Sequence, residues 1–166
     1  MTMIQLDRAE AERLVHTYSD LILRLSYTYL KHTQDAEDIC QTVFLKLLTS
    51  GQTFASPAHE KAWIIRATAN ACKDALRSGF RRRTVALETV AEAPAPAEPA
   101  NDVLEAVMAL PENYRDAVYL YYYEGYSVRE IAGLLGRSES AVSAHLSRGR
   151  QKLRMTLGGN EYEQSV

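Results

Sequence analysis

The sequence contains little of what marks secreted or membrane-inserted proteins. Only two cysteines occur in its 166 residues, which excludes a disulfide-dense secreted scaffold and a zinc site with four cysteine ligands. No apolar run approaches the roughly 18 residues that a membrane-spanning helix needs. The first residues mix acids with apolar side chains, unlike a signal peptide. We therefore expect a cytoplasmic protein without membrane insertion.

An excess of positive charge is also absent. The 19 Lys and Arg are balanced by 21 Asp and Glu, so the chain is not a uniformly basic coat for nucleic acid. The charges are nevertheless segregated, because residues 73–83 and 128–157 are basic and residues 85–105 hold acids but no base. Two basic segments around an acidic one indicate two contacts with one polyanion. The alternative is that both basic segments are ordinary solvated helix faces.

The sequence motifs of common enzymes are missing too. There is no GxxxxGK[ST] phosphate loop, no GxSxG and no HExxH, and the four histidines do not pair at helical spacing with each other or with a cysteine. Cys40 lies on an apolar stripe, so we interpret it as a small buried side chain rather than a nucleophile. Asp35, Glu37 and Asp38 could hold the metal of a nuclease, but no histidine or lysine supports them. We therefore expect no catalytic residue, no metal site and no cofactor.

Apolar residues at three- and four-residue spacings predict an all-α protein. The pattern stops within residues 85–101, where Pro94, Pro96 and Pro99 lie among alanines and glutamates, a composition typical of an extended linker. We therefore predict two small helical domains joined by a flexible acidic linker. The predicted segments are a first domain over residues 1–84, the linker over 85–101, a second domain over 102–158 and a tail over 159–166.

The first domain is predicted to contain three helices. Ser56 followed by proline is a typical helix start, and Asp35 is a good N-cap residue. The predicted helices cover residues 7–30 with an interruption near Thr17–Asp20, Asp35 to Leu48, and Ser56 to Gly79. Apolar positions expected to face the core include Leu14, Val15, Ile22, Leu25, Ile39, Val43 and Leu47.

Polar and aromatic residues recur at three- and four-residue intervals along the third predicted helix. An aromatic ring with amide and basic groups on one stripe can stack a base and hold the backbone of single-stranded nucleic acid. The alternative is that Trp63 belongs to the core and that Asp74 pairs locally with Arg77. The stripe contains Trp63, Arg66, Asn70, Lys73 and Arg77.

The second domain ends in the most specific pattern of the chain. Ser127 and Glu130 form a capping box, the helix after it stops at Gly136, and Ser138 begins another helix over residues 139–157. Two helices joined by a glycine turn, the second rich in bases, are typical of a helix-turn-helix, although they also fit an ordinary helical hairpin with a basic edge. The predicted shared core is Ile131, Leu135, Val142 and Leu146.

The outward face of that last helix suits the major groove of DNA. Short polar side chains leave room for close approach, and arginine can read guanine in bidentate fashion. Basic residues further along can reach phosphates and fix the register. The predicted base-reading residues are Ser140, Ser143, Ala144, Ser147 and Arg148, the predicted phosphate contacts are Arg150, Lys152 and Arg154, and His145 is expected beside a phosphate or a base edge.

Three segments, in this order and at these spacings, resemble a group IV, or extracytoplasmic-function, sigma factor of bacterial RNA polymerase. They are DAEDICQTVFLKLL, EKAWIIRATANACKDALR and the run from LPENYRDAVYLYYYEG to LSRGRQKLR, and the likeness spans roughly residues 10–157. The resemblance implies a transcription initiation factor without catalytic activity. It also implies three partners, which are the polymerase core, promoter DNA and an anti-sigma factor.

The resemblance further implies a role for each domain. The first, similar to region 2 of sigma factors, would bind the clamp helices of the polymerase β′ subunit and melt and read the minus-ten element. The second, similar to region 4, would read the minus-thirty-five element and contact the β flap. The implied polymerase contacts are Asp35, Asp38, Gln41 and Thr42, and the family often has an acid where Thr42 stands. The implied minus-ten contacts are Ser56, His59, Lys61, Trp63, Arg66, Asn70, Lys73 and Arg77.

A conventional helix-turn-helix regulator that binds operators as a dimer is the alternative. The segment VSAHLSR also suits the DNA-binding domain of response regulators. Such a protein would carry a receiver or ligand-binding domain before the motif. The first domain shows no alternation of strands and helices, which favours the sigma factor.

Overall fold

A computed structural model of the protein describes residues 7–78 and 102–158. Within these two ranges every regular element is helical and no strand is present, which confirms the predicted all-α fold class. The chain divides into two compact units, the first ending at Glu92 and the second beginning at Ala93. The predicted linker, the predicted tail and Gly79 lie outside the described residues. Neither described range contains a helix long and apolar enough to cross a membrane.

Three helices form the first unit: α1 (Arg8–Leu30), α2 (Thr33–Thr49) and α3 (Pro57–Arg77). Each helix contacts the other two, and their apolar faces build one core. The prediction that Val15 belongs to this core is wrong, because Val15 is 47% exposed on the outer side of α1. The fully buried side chains include Ile22, Leu25, Leu30, Val43, Ile64 and Ile65.

Helix α1 is continuous, so the predicted break near Thr17–Asp20 is wrong. The Thr17 hydroxyl donates to the carbonyl oxygen of Arg13 at 2.7 Å, and the Ser19 hydroxyl donates to the carbonyl four residues earlier at 2.5 Å. Tyr18, between them, is buried. The hydroxyl groups that could compete with helix formation are therefore satisfied within the helix, and the burial of Tyr18 holds this segment against the core.

A turn of two residues, Lys31 and His32, joins α1 to α2. Lys31 has a left-handed backbone with a φ of 58°, and its N–H donates to the Tyr27 carbonyl oxygen at 2.9 Å, which closes α1. Helix α2 then begins at Thr33, earlier than predicted. Asp35 is therefore not the N-cap of α2, because it lies inside the first turn and is fully buried.

Helix α3 begins as the sequence predicts. The Ser56 hydroxyl accepts the backbone N–H of His59 at 3.1 Å, and Pro57 occupies the first helical position. The hydroxyl satisfies one of the N–H groups that the first turn leaves without an intrahelical partner. The connection from α2, residues 50–56, thus leads directly into a fixed helix start.

The second unit contains α4 (Asp102–Met108), α5 (Glu112–Val118), α6 (Val128–Leu135) and α7 (Glu139–Leu157). Helix α5 continues into a π-helical turn, Tyr119–Tyr123, which the sequence pattern does not predict. The turn is wider than α-helix, because the N–H of Glu124 bonds to the carbonyl oxygen of Tyr119, five residues earlier, at 3.2 Å.

The helix-turn-helix, α6 and α7, has the predicted boundaries. The Glu130 N–H donates to the Ser127 hydroxyl at 3.1 Å and the Ser127 N–H donates to the Glu130 carboxylate at 3.1 Å, which confirms the capping box. Gly136 and Gly158 end the two helices with left-handed φ values of 65° and 66°, which glycine adopts without strain. The predicted shared core is buried, at Ile131, Leu135, Val142 and Leu146.

Two close contacts tie this motif to α5. Asp116 is fully buried, and its carboxylate accepts two hydrogen bonds from the Arg137 guanidinium at 2.9 and 2.5 Å. Gly149 lies so near α5 that a Cβ atom there would be 3.2 Å from Cγ2 of Val118. The position of α7 is therefore set by the ion pair with the buried Asp116 and by the close approach that Gly149, which has no side chain, allows.

Candidate functional site

One face of α3 carries most of the polar and aromatic residues that the sequence predicts for a nucleic-acid contact. It lies opposite the buried positions Ile64, Thr68 and Cys72. We call this face the α3 stripe. Its members are the exposed His59, Arg66, Asn70 and Arg77 and the half-buried Trp63 and Lys73.

Two of the predicted minus-ten residues lie off the α3 stripe. The Ser56 hydroxyl is engaged as the helix cap, and Lys61 is half-buried on another side of the helix. The predicted local pair is present, because the guanidinium of Arg77 bonds to the carboxylate of Asp74. Both side chains of that pair are largely exposed, so Arg77 stays accessible from solvent.

A ring that was not predicted from the sequence contacts the first part of the α3 stripe. Phe54, in the loop before α3, makes edge contacts with His59 and Trp63, with ring centroids 5.5 and 5.9 Å apart. The backbone N–H of Ala55 donates to Nδ1 of His59 at 3.2 Å, which leaves the ring proton of a neutral His59 on Nε2. We call Phe54, His59 and Trp63 the aromatic cluster. The signal that could have found it is a phenylalanine in an otherwise polar loop.

A buried carboxylate anchors the first turn of α3 to α1. Glu60 accepts hydrogen bonds from the Arg13 guanidinium at 3.1 and 3.0 Å and from the Tyr18 hydroxyl at 2.6 Å. The bonds from Arg13, helped by Tyr18, hold the pKa of Glu60 below its ordinary value although burial opposes this. Burial, followed by the bond to Glu60, raises the pKa of Tyr18. The start of the α3 stripe is therefore fixed by charge-assisted hydrogen bonds.

The outer face of α2 combines polar residues with one large apolar residue. Gln41 and Thr42 are exposed and Asp38 is half-buried. Leu45, at the next position on this face, is 64% exposed and was missed by the sequence analysis. We call Asp38, Gln41, Thr42 and Leu45 the α2 face. Asp35, the other implied polymerase contact, is fully buried and does not belong to this face.

The acidic residues at the start of α2 do not form a common surface site. Asp35 is buried whereas Glu37 is exposed, and in the part of the chain that the structure describes no three His, Cys, Asp or Glu residues could hold a metal ion. Cys40 is half-buried rather than buried. Burial, followed by the charge of Glu37, raises the pKa of the Cys40 thiol, the reverse of what a nucleophile needs.

Helix α7 presents the predicted base-reading residues on the side away from its buried residues, Val142 and Leu146. Among them, Ser140, Ser143, Ser147 and Arg148 are exposed and Ala144 is half-buried. Of the predicted phosphate contacts, Lys152 and Arg154 are exposed and Arg150 is half-buried. In residues 102–158, no carboxylate pairs with Arg148 or with these three phosphate contacts. Arg137, by contrast, pairs with Asp116.

His145 contacts helix α5 through both its ring face and one ring nitrogen. Its ring packs at 5.5 Å on the ring of Tyr114, and its Nε2 is 3.3 Å from Nδ2 of Asn113. Burial, followed by the charge of Arg137, lowers the pKa of His145. The half-buried ring therefore joins α7 to α5, and its place beside a phosphate or a base edge stays a prediction.

Comparisons with known proteins agree with this two-unit arrangement. The chain matches Sigma-70 region 2 over residues 14–83 and Sigma-70 region 4 over residues 100–153. It is 32% identical over 155 residues to the ECF RNA polymerase sigma factor SigM of Mycobacterium tuberculosis, covering 92% of this chain and 79% of SigM. It is 33% identical over 135 residues to the RNA polymerase sigma factor CarQ of Myxococcus xanthus, covering 77% of this chain and 78% of CarQ.

The fold is also similar to solved structures. One is the sigma factor RpoE in complex with the anti-sigma factor NepR from Bartonella quintana, with a TM-score of 0.71, 20% identity, and coverage of 90% of this chain and 97% of RpoE. Another is CnrH in complex with the cytosolic domain of CnrY, with a TM-score of 0.63, 23% identity, and coverage of 92% and 90%. The chain belongs to the extracytoplasmic-function sigma factors, the transcription initiation factors whose regions 2 and 4 bind the RNA polymerase core and promoter DNA.

Proposed function

We propose that this sigma factor reads a melted minus-ten element with the α3 stripe and a duplex minus-thirty-five element with α7. It acts in the cytoplasm and has no catalytic activity of its own. The observation that carries the proposal is that each unit turns one continuous polar and basic helix face outward, with a buried apolar face behind it. The boundaries of the two functional domains, 1–84 and 102–158, belong to the same proposal.

The α3 stripe suits a single strand better than a duplex. Extruding a base from a duplex costs a few kcal/mol, and stacking a base on an aromatic side chain returns about 1 to 3 kcal/mol. The aromatic cluster offers such a surface at the start of α3. Arg66 and Asn70, one and two turns further along, can hold phosphates and base edges. The melted strand therefore runs from the aromatic cluster along the stripe.

The α2 face is the proposed contact with the clamp helices of the β′ subunit. Its central side chains, Gln41 and Thr42, are exposed, and Leu45 adds an apolar anchor beside them. A partly apolar helix face of this kind suits another helix pair, because apolar burial supplies affinity and the polar groups fix the register. The β flap is the proposed polymerase contact of the second unit.

Helix α7 suits the major groove. Its outward serines and Ala144 allow a close approach, and Arg148 can make a bidentate contact with guanine. Arg150, Lys152 and Arg154 supply charge for the phosphates on either side. An anti-sigma factor is the proposed regulator. RpoE, which has this fold, is known in complex with the anti-sigma factor NepR, and CnrH, which also has it, in complex with the cytosolic domain of CnrY.

The polymerase contact can be tested with two matched aspartate substitutions. Leu45→Asp should weaken the association of the purified protein with core polymerase at least tenfold, because it places a charge in an apolar contact. Val15→Asp, which alters a similarly exposed aliphatic residue on α1, should leave the association unchanged. Promoter-specific transcripts from the reconstituted holoenzyme should follow the same order. Retained DNA binding without any association with polymerase would instead favour the operator-binding regulator.

The DNA contact can be tested with two matched arginine substitutions. Arg148→Ala should weaken binding to a promoter duplex about tenfold or more, because one bidentate contact with guanine contributes about 1 to 3 kcal/mol. Arg129→Ala removes an exposed arginine from α6 and should have a smaller effect that is equal on promoter and scrambled duplex. An equal loss on both duplexes for Arg148→Ala would contradict its role in base reading.

A further inference from the structure

Two tyrosines at the end of the π-helical turn are exposed beside the helix-turn-helix. Tyr122 is 44% exposed and Tyr123 is 58% exposed. The hydroxyl oxygen of Tyr122 accepts a hydrogen bond from Nη1 of Arg150, on α7, at 3.3 Å. Neither the sequence pattern nor the likeness to sigma factors assigns a role to Tyr122.

Contacts among its tyrosines hold the π-helical turn together. Tyr123 stacks on Tyr119 with ring centroids 5.2 Å apart, and the Tyr119 hydroxyl donates to the Glu124 carboxylate at 2.8 Å. Tyr121 meets the edge of Tyr122 with ring centroids 4.9 Å apart. Turns of this kind often occur at functional sites, because they redirect side chains that a regular α-helix would place elsewhere.

Arg150 lies at the edge of the outward face of α7. It follows the buried Leu146 by four residues and the exposed Ser147 by three, so it borders both faces. Within residues 102–158 no carboxylate pairs with its guanidinium, unlike that of Arg137. Its charge is therefore available to an anion that approaches along this edge of the helix.

We propose that Tyr122 and Arg150 together bind one backbone phosphate of the duplex that α7 reads. The Tyr122 oxygen accepts from Arg150, so the hydroxyl proton is directed away from the guanidinium and can be donated to a phosphate oxygen. Arg150 keeps four further N–H donors for the same phosphate. A guanidinium fork and a hydroxyl are among the groups that recognise phosphate in DNA complexes. This inference rests on the proposed function, in which α7 contacts DNA.

The two side chains should differ in how salt affects their contribution. Arg150→Ala should weaken DNA binding and reduce the dependence on salt by about one phosphate contact, because it removes a charge. Tyr122→Phe should weaken binding roughly tenfold, the effect of one hydrogen bond from a neutral hydroxyl to a charged acceptor. It should leave the salt dependence unchanged, because the hydroxyl itself carries no charge. In protein that already carries Arg150→Ala, Tyr122→Phe should have little further effect, since the pair acts on one phosphate.

The test uses the full-length protein and a fluorescein-labelled random-sequence duplex of about three helical turns, measured by fluorescence anisotropy over a range of salt concentrations. Tyr123→Phe is the matched control, and it should bind like the wild type. Thermal unfolding of Tyr122→Phe and of Tyr123→Phe should match the wild type, because phenylalanine keeps the ring contacts. The inference is overturned if Tyr122→Phe binds like the wild type, or if it costs the same factor with and without Arg150.

Two outcomes separate this inference from the proposed function. If Arg148→Ala leaves binding to a promoter duplex unchanged, and Arg150→Ala and Tyr122→Phe leave binding to either duplex unchanged, the assignment of α7 to DNA fails, and the inference fails with it. If Tyr122→Phe alone is without effect on the duplex but weakens association with core polymerase, Tyr122 belongs to a protein contact and the phosphate assignment is overturned.

Discussion

Both units use a buried carboxylate to hold their outward-facing helix, but they place it differently. In the first unit Glu60 lies on the outward-facing helix α3 itself, is 9% exposed, and receives donors from two residues of α1. In the second unit Asp116 lies on the supporting helix α5, is fully buried, and receives its charged partner from the turn between α6 and α7. Glu60 therefore keeps some access to water, whereas the carboxylate of Asp116 has none and accepts bonds from Arg137 and from the backbone N–H of Ala117 at 2.7 Å. The comparison predicts that the second anchor is the more costly one to break.

The largest effect is expected for Arg137→Met. This change removes the guanidinium that pairs with the fully buried Asp116 carboxylate and should lower the free energy of unfolding by about 3 kcal/mol or more. Arg77→Met, which removes the arginine of the exposed pair with Asp74, should have no measurable effect. Urea denaturation followed by far-ultraviolet circular dichroism measures both variants. Equal effects would show that burial does not distinguish the two pairs.

Glu60→Gln should have the next largest effect, about 2 kcal/mol at neutral pH, because Arg13 and Tyr18 then bond to a neutral amide. The fluorescence of Trp63, the only tryptophan of the chain, reports the unfolding of the first unit. The folded-state pKa of Glu60 is lowered, so its contribution is present above the ordinary pKa of 4.5 and is lost as the pH falls through the lowered value. The difference between wild type and variant should therefore shrink below about pH 4.5. A difference that is constant over that range would contradict the anchor.

The helix caps sharpen the comparison further. Ser127→Ala removes an acceptor from a reciprocal capping box, and Ser56→Ala removes one from a cap in which no reciprocal bond is present. Each should cost about 1 kcal/mol, with Ser127→Ala the larger of the two. Circular dichroism measures the first and Trp63 fluorescence the second. The reverse order would mean that the Glu130 side chain adds nothing to its helix.

The smallest effects concern glycines, which occur in the described helices of the second unit but in none of α1 to α3. Gly133→Ala should stabilise the protein by up to about 1 kcal/mol, because nothing lies within 4 Å of the added Cβ and alanine favours helix. Gly149→Ala should gain less or lose stability, since its Cβ would be 3.2 Å from Val118. Thermal unfolding of the two variants compares them directly. An equal gain at both positions would show that α7 can move away from α5 without cost.

Local signals in the sequence predicted much of the second unit. Ser127, Gly136, Ser138 and Gly158 each fix a helix end through their own backbone or hydroxyl group, so their meaning does not depend on distant residues. The same holds for Ser56 in the first unit. The outward residues of α7 were predicted because they share one helix with the buried positions that define its inner face.

Features set by contacts between helices were not predictable in this way. Asp35 was expected at a helix start because aspartate is common there, and only the packing of the first unit buries it. Phe54 and Tyr122 reach their partners across a loop and a π-helical turn, which no helical periodicity describes. The predicted break in α1 failed because the burial of Tyr18 outweighs the local preference of its polar neighbours.

The short turn at Lys31 has a consequence for how the first unit can respond to its partners. Two residues leave no slack between α1 and α2, so neither helix can slide or rotate without carrying the other. Helix α1 also holds the first turn of α3, because Arg13 and Tyr18 donate to the Glu60 carboxylate. A displacement of α1 would therefore disturb the proposed polymerase contact and the proposed contact with a melted strand together. An inhibitor that displaced α1 would thus act on both proposed contacts without binding to the α2 face or the α3 stripe.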